Sequence, residues 1–200
     1  MDRLLLRAGL FGQLLEPSSC LMSRFLLPLL LLFSWILVPG GNAHGQELKS
    51  RYVTLVFTDM EVLQGFNSNL QLNGKLDYAI RQKNVITVAD EVLAKVDIII
   101  EKVEAVLDMF PDNYHIQLVL LPNASEVAVI YKQKYGKDVN HIAYYSLSEK
   151  TIYISVNDTR LRVLAHEIGH SVVDYYFLKI RPPYNIHELM AQFAEQHVTD

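Results

Sequence analysis

Two histidines four residues apart, with a glutamate beside the first, are the strongest chemical signal in this chain. They lie in Val163-Leu164-Ala165-His166-Glu167-Ile168-Gly169-His170. On a helix, a step of four is just over one turn, so both imidazoles leave one face at neighbouring heights. That placement suits two adjacent corners of a zinc tetrahedron. Glu167 is turned by about 100 degrees from His166 and cannot easily share the metal. It can instead reach a zinc-activated water and take its proton as general base. The expected reaction is hydrolysis of a peptide bond, with one catalytic Zn2+ as cofactor. Gly169 leaves room for a second backbone or a substrate to approach.

A catalytic zinc takes three protein ligands and keeps one position open. A third histidine six residues after the second is excluded, because that position is Tyr176. The remaining sources lie in the run from His187 to His197. Glu188 is the expected third ligand, in the first turn of a helix that can fold back after Pro182-Pro183. Asn185 and Glu188 also stand at capping-box spacing, a competing role for the same carboxylate. Glu195, seven residues on and on the same face, is the alternative ligand, a group that orients a ligand, or a solvated helix charge. His187 and His197 are weaker ligand candidates. Asp174, four residues after His170, either orients a ligand or is a solvated charge.

The elements that must hold these residues follow from pattern. Arg51 to Phe57 is rich in β-branched and aromatic residues and reads as a strand, after a short polar linker at 46–50. Thr58 and Glu61 have capping-box spacing before a short helix reaching about Asn67. The stretch 70–82 is ambiguous. Val85, Val88, Val92, Val96, Ile99, Val103, Val106 and Phe110 recur at steps of three and four, which predicts a long helix over 85–110. His115 to Leu121 is a strand and Ala124 to Tyr135 a helix closed by Gly136. Segments 142–145 and 151–156 form a hairpin. Asn157-Asp158-Thr159 is expected to cap a helix over 160–178. Pro182-Pro183 breaks the chain before a last helix from about Asn185 to His197. The fold class is α+β: a small mixed sheet with helices packed on one side, in a single domain over 51–200.

With the motif and its elements in place, the chain resembles the gluzincin metallopeptidases, in particular compact thermolysin-like peptidase domains. The resemblance rests on Val-Leu-Ala-His-Glu-Ile-Gly-His, followed by His-Glu-Leu-Met-Ala-Gln-Phe-Ala-Glu, and covers about Tyr114 to His197. It implies a zincin-like active-site helix followed by a glutamate helix, with His166, His170 and Glu188 as ligands and Glu167 as base. Ala143-Tyr144-Tyr145 and Thr151 to Ser155 are similar to the hairpin bordering the cleft, one strand of which can pair with an extended substrate. The chain departs from the pattern at Gln192, where such enzymes often carry an Asp that orients a ligand histidine. It also ends at Asp200, where thermolysin continues into a subdomain that supplies an oxyanion stabiliser. Tyr144, Tyr145, Tyr184, His187 and His197 are the candidates left for that role.

Composition limits the alternatives. Half of the 200 residues are hydrophobic, enough for a real core. A net charge of −4 argues against a nucleic-acid partner, so the expected partner is a peptide or protein substrate. Cys20 is the only cysteine, so any metal in the mature chain falls to histidine and carboxylate ligands. Residues 1–43 read as a signal segment: Arg24 precedes the apolar run Phe25 to Val38, which Pro39-Gly40-Gly41 breaks. Translation from Met22 would give that segment a normal short start. The expected location is therefore exported, periplasmic or secreted, with a membrane anchor as the alternative if the segment is kept. Asn123-Ala124-Ser125 and Asn157-Asp158-Thr159 match a glycosylation pattern and serve equally as turn and cap residues. The competing function is a catalytically weak or inactive binding or assembly protein on the same fold, possibly membrane-tethered. An intact Glu167 argues against it, since a purely structural zinc site has no use for that carboxylate.

Overall fold

Alternation along the strands builds the sheet. In β2 (Val53–Phe57), Val53, Leu55 and Phe57 are buried while Thr54 and Val56 are half-buried, so one face carries the core. β3 (Ile116–Leu121) runs parallel to β2, and β5 (Thr151–Ser155) runs parallel to β3. β1 (Gln46–Lys49) and β4 (Ala143–Ser146) close the two edges antiparallel, giving the order β1-β2-β3-β5-β4. The structure, a computed structural model, describes residues 45–178 and 180–200. The expected signal segment and the start at Met22 lie outside the described residues. The described residues form one compact unit. No helix among the described residues is long and apolar enough to cross a membrane.

Six helices accompany the sheet among the described residues. They are α1 (Met60–Asn69), α2 (Gly74–Arg81), α3 (Val88–Leu107), α4 (Ala124–Tyr135), α5 (Leu161–Tyr176) and α6 (Tyr184–His197). Side chains from α1, α2, α3, α5 and α6 join one core with Leu55, Leu118, Ile152 and Ile154 of the sheet. The fold is therefore α+β, a mixed sheet with helices packed on one side, as the pattern predicts. α4 alone reaches the opposite face, where Val127 meets Leu121, Tyr144 and Tyr153.

Local chemistry sets the boundaries, and it differs from expectation in several places. The 46–50 linker is instead strand β1, largely exposed at the sheet edge, where polar residues are tolerated. Asp59 rather than Thr58 caps α1, accepting the backbone N–H groups of Glu61 at 2.9 Å and Val62 at 3.0 Å. The ambiguous 70–82 stretch contains α2. The long helix is shorter than its apolar stripe. A capping box between Thr87 and Asp90 starts it, Asp108 at φ 51° stops it, and Phe110 is exposed. Asn157, Asp158 and Thr159 do not cap α5. Asp158 instead accepts the Ser155 hydroxyl, and Thr159 donates to the Ser155 carbonyl, tying strand end to helix start.

Candidate active site

Helix α5 carries His166, Glu167 and His170, and its buried residues Leu164, Ala165 and Ile168 fix its rotation against the core. Helix α6 returns across it. The crossing is close because Gly169 has no side chain: a Cβ there would lie 2.9 Å from the Ala191 Cα and 3.2 Å from the Ala194 Cβ. The predicted role of Gly169, admitting another backbone, falls to α6. Ala191 and Ala194 are small for the same reason. Pro183 leads into α6, and no side chain caps its start. Asn185 therefore does not compete for Glu188.

This crossing brings three side chains together. His166 Nε2 lies 3.2 Å from His170 Nε2 and 3.5 Å from Glu188 Oε1, and His170 Nε2 lies 3.4 Å from Glu188 Oε2. Tetrahedral zinc with bonds of about 2.0–2.1 Å has edges of about 3.3–3.4 Å between its ligand atoms. His166, His170 and Glu188 could thus hold a metal ion with little movement. Glu195 takes another position: its Oε2 lies 3.0 Å from His166 Nδ1. A proton on Nδ1 donated to this carboxylate leaves Nε2 with its lone pair toward His170 and Glu188. Carboxylates behind metal-binding histidines set the tautomer in this way. Gln192 donates to Glu188 Oε1 at 3.2 Å, so the position where the resemblance leads one to expect an Asp steadies the Glu188 carboxylate instead.

His187 is buried one residue before Glu188, and its Nδ1 meets His170 Nδ1 at 2.9 Å with the rings stacked. Its Nε2 has no partner among the described residues. Burial, with His166 and His187 beside it, pushes the His170 pKa down to about 3. The ring is therefore neutral near pH 7, the form that binds a metal.

Glu167, next to His166 on α5, is buried at 8 % exposure. Burial raises its pKa to about 8, against a hydrogen bond from the Tyr145 backbone, with Glu188 and Glu195 adding to the rise. A nearby dication would pull that value down. The Tyr145 bond follows from strand pairing. Ser155 N–H donates to Ile142 C=O, so the pairs Tyr144–Tyr153 and Ser146–Thr151 face each other across the ladder. Alternate residues Ala143 and Tyr145 turn their backbone groups to the free edge of β4.

A cavity of about 780 Å³ runs along that edge and takes in His166, Glu167, His170 and Glu188. Arg181 and Tyr184 also line it. Asp174 is neither a solvated charge nor a group on a histidine. It is 2 % exposed and accepts hydrogen bonds from Lys150, Arg181 and, at 2.9 Å, the Tyr145 hydroxyl. Among the oxyanion candidates, Tyr145 is occupied by Asp174, His187 by His170, and His197 by Asp200. Tyr184 is exposed at the cavity mouth, and Tyr144 turns to the α4 face.

Sequence reasoning missed Arg181 and Lys150. Both are bound to a buried carboxylate, but no local spacing links 150 to 174, and Arg181 read only as the residue before a proline break. Comparisons with protein-family models, curated proteins and solved structures find no match to this chain.

Proposed function

We propose that this chain is a zinc-dependent peptidase of gluzincin type, exported from the cytoplasm, with His166, His170 and Glu188 as metal ligands and Glu167 as general base. The observation that carries the reading is the cluster of two Nε2 atoms 3.2 Å apart, each facing a different oxygen of the Glu188 carboxylate at 3.5 and 3.4 Å. Nitrogen and oxygen donors at these spacings suit zinc better than calcium or magnesium, which prefer larger all-oxygen sets. The ion would polarise a peptide carbonyl and lower the pKa of a water toward neutrality.

The chain's own groups supply the rest. Glu167 lines the same cavity as the cluster, with the Tyr145 backbone N–H favouring its charged form. It takes a proton from the attacking water and passes it to the leaving amine. Burial keeps its basicity high and bulk water out. The outward N–H and C=O of Ala143 hold an extended substrate against β4 as an added strand. Glu195 and His187 keep the two imidazoles oriented.

The purified protein should carry about one zinc per chain. It should cleave an unstructured protein such as reduced, alkylated casein. A chelator should stop cleavage, and added zinc should restore it. Cleavage that continues after complete metal removal would sink this reading.

A further inference from the structure

The cavity does not stop at the metal cluster. It continues over the β4 edge to the opposite face of the sheet, where Tyr131 and Tyr135 of α4, Tyr144 of β4 and His141 line it. These rings form one wall. Tyr131 meets Tyr135, Tyr144 and His141 at centroid distances of 4.6, 5.0 and 5.2 Å. Tyr144 stacks on Tyr153 behind it at 5.0 Å, which holds the wall to the sheet. Tyr135 is 43 % exposed and its hydroxyl lies 3.0 Å from the Ser146 hydroxyl, so its ring is fixed and open to solvent. The Tyr144 hydroxyl is buried without a partner among the described residues, although the Tyr135 and Tyr153 phenols beside it are hydrogen-bonded.

The geometry points to a specificity subsite: we infer that this wall receives an aromatic side chain of the substrate, within two residues of the scissile bond. The inference rests on the peptidase reading and deepens it. A strand laid on the free edge of β4 alternates its side chains between the two faces of the sheet. One set falls toward α5 and the metal cluster. The other falls toward α4, against Tyr131, Tyr135 and His141. A small side chain would leave the exposed ring faces in water. A phenyl or indole ring would cover them and gain edge-to-face contacts. Glu149, the carboxylate on Tyr153 behind the wall, is already paired with Lys134, so a basic side chain finds no free partner there.

Binding can be read apart from turnover. The probes are short fluorescein-labelled Ala-Ser peptides carrying one Phe, Ala or Lys at each position in turn. They are titrated by fluorescence anisotropy into zinc-loaded Glu167→Gln protein. At one position, Phe should bind about tenfold tighter than Ala, the scale expected from covering one aromatic side chain. Lys should show no gain there. Tyr135→Ala or Tyr131→Ala, checked for a normal melting curve, should bring the Phe peptide to the affinity of the Ala peptide. Tyr135→Phe should keep the preference. Equal affinities at every position, no binding at all, or a preference that survives in both alanine variants would overturn the subsite. A Phe preference in binding, with no cleavage by wild type, would instead sink the peptidase reading and leave the subsite standing.

Discussion

At the scale of single residues, the site depends on which carboxylate faces which nitrogen. Glu188 lies 3.4–3.5 Å from both Nε2 atoms, and Glu195 lies 3.0 Å from the Nδ1 of one. The two should therefore fail differently. Glu195→Ala removes only the group that fixes the His166 tautomer, so zinc should still bind at one per chain but about 10- to 100-fold more weakly. Competition with a fluorescent chelator measures this, and loss of all zinc would make Glu195 a ligand instead. The two histidines and Glu167 were legible in the sequence because their geometry lies within one turn of helix. The division of labour between Glu188 and Glu195 was not. They share a face seven residues apart, and only the angle and depth of the helix crossing decide which one reaches the Nε2 atoms.

At the scale of elements, the crossing of α5 and α6 is the device that makes the site. Gly169 and Ala191 allow contact at backbone distance, so a single methyl group there acts on the cluster above. Gly169→Ala should push α6 outward, since the clash at 2.9 Å is with a backbone atom that cannot rotate away. The helix propensity of alanine offers about 1 kcal/mol in return, against roughly 1–3 kcal/mol for overpacking. The expected outcome is a folded protein with weaker zinc binding and a lower melting temperature, checked by circular dichroism and metal titration. Unchanged zinc affinity would mean that α6 does not set the position of Glu188. The long helix and α4 were readable because their periodicity and end signals are local. β1 was not, since its residues are polar and largely exposed, and its identity as a strand comes only from pairing with β2.

At the scale of the whole molecule, three distant segments meet at Asp174. Lys150 comes from the β4–β5 turn, Arg181 from the connection between α5 and α6, and Tyr145 from the edge strand that borders the cavity. Burial raises the Asp174 pKa, but bonds from Lys150, Arg181 and Tyr145 outweigh it and hold the group below its ordinary range. A depressed carboxylate pKa stabilises the fold fully above the unfolded value of about 4 and loses that contribution as pH falls through the folded value. Asp174→Asn should cost about 2–3 kcal/mol at neutral pH, less than a fully buried pair because Lys150 and Arg181 are partly exposed. The gap from wild type should shrink as the pH is lowered below about 4, which chemical denaturation across pH would follow. A gap that stays constant with pH would assign the effect to shape rather than charge. None of this was visible in the chain, where the partners of Asp174 stand 7, 24 and 29 residues away. The sheet order that gathers them puts β4 at the free edge beside Glu167. In the proposed reaction, Glu167 is what turns a metal site into a hydrolytic one. Its most direct test compares casein cleavage by wild type and Glu167→Gln at equal, measured zinc content. Full zinc is expected in both proteins, with cleavage by wild type and at least a hundredfold loss in the variant, on the order of what a general base contributes. Equal cleavage by the two would contradict it.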